Sequence, residues 1–172
     1  TTMLYQGIDS RIQAIQNAAY ARVYGMQWSL DAQIGSRWIL TTRMNLQKGE
    51  DELDNGDISP SRHAAPFFGE SSLIYEHNSW SGSLIYRFQG TKSHSQMAIT
   101  EREKTDLYAL NEDNLTYAPS WGVWNLVGKY EIAVWGNMLL KIENITDHRY
   151  RPYSSGISAA GRSVQLGFSV HF

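Results

Sequence analysis

The sequence predicts an all-β protein, an antiparallel meander of about seven long strands. Apolar and polar residues alternate over stretches of about ten residues, which is the two-residue period of a strand with one apolar face. These stretches are separated in turn by very short connections and by polar segments of about a dozen residues or more. Very short connections between strands are typical of antiparallel hairpins.

The first hairpin begins the regular part of the chain. Strict alternation over residues 24–34 predicts a strand, and Gly35 and Ser36 predict a tight turn. A second strand follows over residues 37–47 with its apolar residues in the same phase. Residues 48–65 have no apolar period and are rich in Asp, Asn and Gly, which predicts a long loop.

The second hairpin repeats this arrangement. Residues 67–75 and 80–88 predict two strands joined by a turn at Asn78 and Ser79. A second long polar stretch then covers residues 90–118. Short and long connections therefore alternate along the chain.

A third hairpin and a last strand complete the pattern. Residues 124–130 and 134–142 predict strands with a turn near Glu131. A loop over residues 147–161 leads to a final alternating strand over residues 164–172. We therefore expect the three short turns to share one rim of the sheet.

Composition excludes several classes of protein. Hydrophobic residues make up 42% of the 172 residues and charged residues 19%, with a formal net charge of −2, so neither disorder nor a nucleic-acid surface is indicated. The absence of cysteine excludes disulfides and thiol chemistry. No run approaches the roughly 18 apolar residues of a membrane helix, and the first residues lack the pattern of a secretion signal. A soluble protein and a membrane barrel piece cut from a longer precursor both remain open.

Strand length and loop asymmetry favour a membrane barrel. Strands in soluble proteins average five or six residues, whereas a tilted strand needs roughly nine to eleven residues to cross a bilayer. Outer-membrane barrels have short periplasmic turns and long external loops, so the short-turn rim is predicted to be periplasmic. A soluble, lipocalin-like barrel that binds a small apolar ligand has the same period with its apolar face inward, and it remains the alternative.

The tail of the chain resembles a known family. Residues 142–150 read I-E-N-I-T-D-H-R-Y, a Gly-Arg pair follows at 161–162, and the last strand ends at Phe172. This is similar to the end of TonB-dependent outer-membrane receptors, where Asn, an apolar residue and Asp close the penultimate strand, and Gly-Arg precedes a last strand ending in an aromatic residue. Residues 17–26 and 62–69 also resemble strand beginnings in this family, the second in members from the Bacteroidetes.

The resemblance implies a fold, a location and partners. Residues 1–172 would be the C-terminal segment of a 22-stranded transmembrane β-barrel, without its N-terminal plug and remaining strands. An isolated seven-stranded sheet would expose unpaired backbone groups to hydrocarbon, so the segment needs the rest of its barrel. The implied function is uptake of a scarce nutrient, a ferric siderophore, haem or cobalamin, across the bacterial outer membrane. The implied partners are outer-membrane lipid, the barrel-assembly machinery, the small-molecule cargo and the periplasmic TonB complex, which acts through the plug.

Two groups of residues are candidates for function. The terminal strand resembles the barrel-assembly signal, which an edge strand would present by strand addition. Its residues are Val164, Leu166, Phe168, Val170 and Phe172. Ligand contacts are expected in the long loops, and the candidates there are Arg62, His63, His148, Tyr150 and Tyr153.

No catalytic function is predicted. The sequence has no Ser, His and Asp set, phosphate loop or nucleotide fingerprint, and its five histidines show no metal-ligand spacing. We therefore expect no enzyme activity, cofactor, metal site or nucleic-acid partner.

Two further sets of residues are expected to have structural positions in the barrel. The face opposite the apolar one is expected to line the lumen with Gln27, Asp31, Arg37, Arg43, Lys141 and Glu143. Aromatic anchors are expected at Trp38, Trp80 and Trp135.

Overall fold

One antiparallel sheet contains the seven long strands that the sequence predicts. The structure is a computed structural model that describes residues 2–5, 8–11, 20–53 and 55–170. Its elements are β1 (Thr2–Tyr5), β2 (Ile8–Arg11), β3 (Ala21–Ile34), β4 (Trp38–Glu52), β5 (Ile58–Pro60), β6 (Phe68–His77), β7 (Trp80–Gln89), a 3₁₀ turn (His94–Gln96), α1 (Ile99–Arg102), β8 (Ala109–Leu110), β9 (Thr116–Tyr117), β10 (Trp121–Ala133), β11 (Gly136–Glu143) and β12 (Ser163–Val170). The order across the sheet is β12-β11-β10-β7-β6-β4-β3, with the short β5 added to β4.

The strand register places the apolar residues on one face. Neighbouring strands align their apolar positions, so that a continuous row crosses all seven long strands. The row consists of Ala32, Leu40, Leu73, Leu84, Leu126, Ile142 and Val164. We call this side of the sheet the apolar face, and the other side the polar face.

Ion pairs join neighbouring side chains on the polar face. Arg43 of β4 pairs with Asp31 of β3 at 2.7 Å, and Lys141 pairs with Glu143 at 2.8 Å. A further pair joins Arg87 of β7 to Glu70 of β6. The expected position of Arg37 on this face was wrong, because its guanidinium donates to the Tyr75 hydroxyl on the apolar face at 3.3 Å.

The apolar face is not covered within the described part of the chain. Leu84 at its centre is 40% exposed, Val164 is 64% exposed and Phe168 is 67% exposed. The sheet is open, with β3 at one edge and β12 at the other. A lipocalin-like barrel requires the apolar face to lie inside a closed sheet, so the described residues do not form one. Among those residues no helix has the length and apolar character needed to span a membrane.

The short turns follow the prediction in two cases of three. Gly35 and Asn78 have positive φ angles of 69° and 49°, the left-handed conformation that tight hairpins require. The third turn was wrongly placed near Glu131. A bulge between Glu131 and Ala133 extends β10, so Val134 lies in the turn with Trp135 and not in a strand.

The long connections contain more structure than the sequence indicates. β4 continues to Glu52 and pairs with both β3 and β5, so the prediction of one loop over residues 48–65 was wrong in part. Backbone pairing to β3 holds this charged segment extended even though its side chains have no apolar period. The stretch 90–118 likewise contains the 3₁₀ turn, α1, β8 and β9.

Candidate functional site

The three long connections pack together at one end of the sheet. They follow β4, β7 and β11, and we call their packed part the long-loop cluster. Its apolar centre is formed by Met97, Ala118 and Tyr153, with Tyr108 packed against them. Tyr153 comes from the last connection and the other three residues come from the connection between β7 and β10. Burial of apolar side chains therefore joins two loops that are distant in sequence.

A buried carboxylate adds an electrostatic link. Glu101 is 1% exposed and accepts from Lys104 Nζ at 2.5 Å and Tyr108 Oη at 2.5 Å, while Arg62 Nε lies at 2.7 Å. Burial raises the pKa of Glu101, but the hydrogen bonds from Lys104 and Tyr108 and the charge of Arg62 outweigh it and hold the pKa below its usual value. The ionised carboxylate thus ties the connection after β5 to the connection after β7.

A buried lysine makes a second link. Lys92 donates from Nζ to the carbonyl of Ala64, and its amine lies 4.4 Å from the centre of the Tyr153 ring. Burial lowers the pKa of Lys92 to about 8. Gln89 at the end of β7 also accepts from the Tyr153 backbone N–H at 3.3 Å. All three long connections therefore contact one another through these side chains.

The Asn of the family-like tail shapes the last connection. Asn144 is 3% exposed and has a φ of 50°. Its Oδ1 accepts from the His148 backbone N–H at 2.9 Å, and its Nδ2 donates to the carbonyls of His148 and Ala160. Its own backbone N–H donates to the Asn125 side chain at 2.9 Å. The amide holds both ends of the loop at the end of β11.

The Asp of the same motif fixes the start of the last strand. Asp147 Oδ1 accepts from the Arg162 backbone N–H at 2.8 Å. A Cβ at Gly161 would lie 2.8 Å from that same oxygen, so any larger residue would displace the carboxylate. The tail residues that carry the family resemblance are therefore residues that shape the loop between β11 and β12.

A cleft of about 370 Å³ opens beside this loop. Trp121 and Tyr150 pack with ring centres 4.2 Å apart, and the His148 ring is stacked on Tyr150 at 6.4 Å. Trp121 lies directly opposite Gln89 in the sheet, and both residues alternate with the apolar positions of their strands. The cleft therefore lies on the polar face. Arg149 and Arg151 also line it. The cleft therefore combines flat aromatic surface with cationic groups.

Two hydrogen-bond donors in the cleft lack acceptors. Trp121 Nε1 and Arg151 Nε are buried and have no hydrogen-bond partner among the described residues. Arg151 uses its Nη1 to hold the Leu107 carbonyl at 3.0 Å. None of the described residues that line the cleft carries a carboxylate. Arg149 and Arg151 thus supply positive charge that no carboxylate among these lining residues neutralises, so the cleft is chemically suited to a ligand with anionic oxygens.

The structure places the five ligand candidates at three locations. His148 and Tyr150 meet at the cleft, whereas Arg62 and Tyr153 belong to the packed long-loop cluster. His63 is exposed in the connection between β5 and β6. Trp121, Arg151 and Glu101 were not singled out from the sequence. Trp121 could have been found from its predicted position at the long-loop end of a strand. Nothing in the sequence around Glu101 indicates that its side chain becomes buried.

The candidate assembly signal occupies an edge strand. β12 is paired with β11 on one side only, and its apolar face carries exposed side chains. These are Val164, Leu166, Phe168 and Val170. Phe172 lies outside the described residues.

No three His, Asp or Glu side chains converge on a possible metal position within the residues that the structure describes.

Comparison with known proteins identifies the architecture. No family model and no curated protein matches the sequence. The copper transporter OprC matches over 88% of this chain and 24% of its own, with a TM-score of 0.71 and 16% identity. The FrpB iron transporter from Neisseria meningitidis matches over 90% and 24%, with a TM-score of 0.68 and 16% identity. The siderophore receptor PiuA from Acinetobacter baumannii matches over 87% and 22%, with a TM-score of 0.60 and 15% identity.

These similarities confirm the fold predicted from the sequence. The matching structures are TonB-dependent outer-membrane receptors, and the chain has the fold of part of their barrel. It spans about a quarter of the length of the solved structures that it matches. Sequence identity is low throughout, so the likeness concerns architecture and leaves the cargo to be argued from the site.

Proposed function

We propose that the chain is the closing part of a TonB-dependent receptor barrel in the bacterial outer membrane, and that the whole protein takes up a scarce nutrient. The observation that carries the proposal is an open antiparallel sheet with an exposed apolar face, short turns at one end and long packed loops at the other. A lipid bilayer covers such a face, and further strands of the same barrel pair with the edges β3 and β12.

Aromatic side chains on the apolar face support the membrane placement. One belt near the long loops contains Trp28, Phe67, Phe88, Tyr86 and Trp124. A second belt near the short turns contains Trp38, Tyr75 and Trp80. Phe88 and Trp80 are about 26 Å apart along β7, at roughly 3.3 Å per residue. A tilted strand of this length suits an apolar band of about 25 Å with aromatic girdles.

The cleft at Trp121 and Tyr150 is the proposed cargo contact. Its aromatic rings offer stacking surface, and Arg149 and Arg151 offer positive charge with no carboxylate among the described lining residues. An anionic chelate such as a ferric siderophore satisfies both features better than a bare metal cation does. Haem and cobalamin are the other candidate cargoes. His63 and Arg62, in a neighbouring long loop, remain candidates for contact with the cargo.

We also propose partners beyond the cargo. The apolar face contacts outer-membrane lipid, and the edge strand β12, with Phe172 beyond it, is presented to the barrel-assembly machinery. The periplasmic TonB complex acts through a plug domain in the same protein. Deletion of Phe172 is expected to lower the amount of assembled protein in the outer membrane, and an unchanged amount would contradict the signal.

Uptake measurements test the function. The protein that carries this chain is compared with its deletion strain for uptake of labelled ferric siderophores, haem, cobalamin and copper. Trp121→Ala is expected to reduce uptake of the true cargo at an unchanged membrane level. Trp124→Ala serves as the matched control, because this residue lies three positions along the same strand on the apolar face. Absence of a deletion phenotype for every member of the panel would overturn the proposed function.

A further inference from the structure

A groove of about 840 Å³ opens at the long-loop end of β4. The pairing of β4 with β6 stops at Asn45 and Phe68, after which β4 continues beside β5 and separates from β6. The groove occupies the resulting gap. Met26 and Leu46, which line it, belong to the apolar face, and Phe67 stacks on Trp28 of the same face. The groove therefore opens on the side of the sheet that faces away from the cargo cleft.

The lining changes in character along the strands. Nearest the aromatic belt are the apolar side chains Met26, Leu46 and Phe67. Two residues further along, Tyr24 and Lys48 face each other, and the next pair beyond them is Arg22 and Glu50. The groove lining thus changes from apolar to charged in the same order as a lipid whose acyl chain lies in the bilayer and whose headgroup lies above it.

The charged end of the groove carries an excess of positive charge. Arg22 and Lys48 lie 5.6 Å and 6.0 Å from the Tyr24 ring centre. Glu50 pairs with Lys48 at 2.6 Å. It is the only carboxylate among the described residues that line the groove. Lys92 also lines the groove, but its amine is buried and donates to the Ala64 carbonyl. At this end the exposed Lys48 of the lining and the exposed Arg22 just beyond it thus stand against the single carboxylate Glu50, which favours an anionic group.

We propose that this groove binds a lipid with an acyl chain and an anionic phosphate headgroup. The acyl chain lies along Met26, Leu46 and Phe67, and the phosphate pairs with Lys48 and Arg22. Basic side chains at a membrane surface each contribute about 1 kcal/mol of attraction to anionic lipid, which corresponds to roughly five-fold in binding. This proposal rests on the proposed function for the orientation of the apolar face.

Lipid retention measures the proposal directly. The intact protein that carries this chain is purified in neutral detergent and incubated with phosphatidylglycerol or phosphatidylcholine of identical acyl chains, and bound lipid is counted by native mass spectrometry. Phosphatidylglycerol is expected to be retained more strongly. Lys48→Ala should reduce its retention about five-fold, and Leu46→Trp should reduce it by filling the groove. Lys129→Ala, whose native side chain pairs with Glu131 at the opposite end of the sheet, is the control.

Each outcome decides the matter. Equal retention of the two lipids, or retention that Lys48→Ala and Leu46→Trp both leave unchanged, overturns the groove proposal while the receptor function stands. Displacement of the lipid by inorganic phosphate alone would also overturn it, since it would reveal a simple anion site. A protein that remains monodisperse in water without detergent would instead overturn the proposed function. If Leu46→Trp fails to fold, the exposed Lys48→Ala substitution decides.

Discussion

Individual polar residues determine how the long loops are held. Asn144 and Asp147 use side-chain oxygens to accept backbone N–H groups that the loop would otherwise leave unpaired. The buried carboxylate of Glu101 binds two cations, Arg62 and Lys104, and accepts from the Tyr108 hydroxyl. At Asn144 and Asp147 a short polar side chain replaces the regular backbone pairing that ends with the strands, whereas Glu101 joins side chains of two connections. The loops are therefore ordered by these specific bonds together with the small apolar centre at Met97, Ala118 and Tyr153.

Replacement of Glu101 should loosen the loops. Glu101→Gln removes the buried negative charge and weakens the charged hydrogen bonds from Arg62 and Lys104, both of which remain partly solvated, which should lower the free energy of local opening by about 2 kcal/mol. Hydrogen exchange of the amides in residues 98–108 measures this effect. Glu112→Gln changes an exposed acid of the same connection and should have no effect.

The same carboxylate predicts a pH dependence. The folded pKa of Glu101 lies below its ordinary value of about 4.3. Its contribution is therefore complete above that ordinary value and is lost as the pH falls through the lowered folded pKa. Exchange of residues 98–108, corrected for the intrinsic rate, should accelerate on acidification in the wild type. Glu101→Gln should remove this acceleration, and an equal acceleration in both proteins would refute the assignment.

A side chain at Gly161 should displace the Asp147 carboxylate. Gly161→Ala places a methyl group against Asp147 Oδ1 and weakens the bond from the Arg162 N–H, at a cost of about 1 kcal/mol. Loss of exchange protection at the Arg162 amide is the expected signature. Gly156→Ala, which meets no atom within 4 Å, should leave that protection intact. Equal protection in both variants would contradict the role given to Asp147.

At the scale of elements, periodicity predicts the strands but not where they end. Alternation is strict through β3, and the hairpin turn at Gly35 follows from its local residue type. The bulge before Ala133 adds one residue without changing the composition, so the turn at Val134 has no distinct signal. The extension of β4 to Glu52 was missed because it is held by backbone pairing to β3 and β5, whose position depends on the assembled sheet.

Opposite faces of β7 should respond differently to a charge. Leu84 lies on the apolar face midway between Trp80 and Phe88, and Leu84→Arg should cost about 2–4 kcal/mol at the centre of a bilayer. Ser83→Arg places the same charge on the polar face. Quantitative immunoblots of outer-membrane fractions should show loss of the first variant and retention of the second. Equal losses would contradict the orientation of the sheet.

At the scale of the whole molecule, the cargo cleft illustrates what a sequence pattern cannot supply. His148 and Tyr150 could be proposed because they follow a recognisable motif in a long loop. Trp121 joins them only because β10 begins next to the loop after β11, which brings residues nearly thirty positions apart into ring contact. Arg151 and its contact with the Leu107 carbonyl depend on the same packing. Sequence patterns locate the correct end of the barrel, and tertiary contacts select the residues.

The absence of cysteine permits a direct test of this orientation. Glu112→Cys introduces a thiol on an exposed long-loop position, and Ser79→Cys introduces one on an exposed short turn. A membrane-impermeant maleimide added to intact cells should label Glu112→Cys and should label Ser79→Cys only after the outer membrane is permeabilised. The unsubstituted chain supplies the unlabelled background. Labelling of the short turn alone in intact cells would invert the proposed topology, and equal labelling of both positions would argue against insertion of the sheet in the outer membrane.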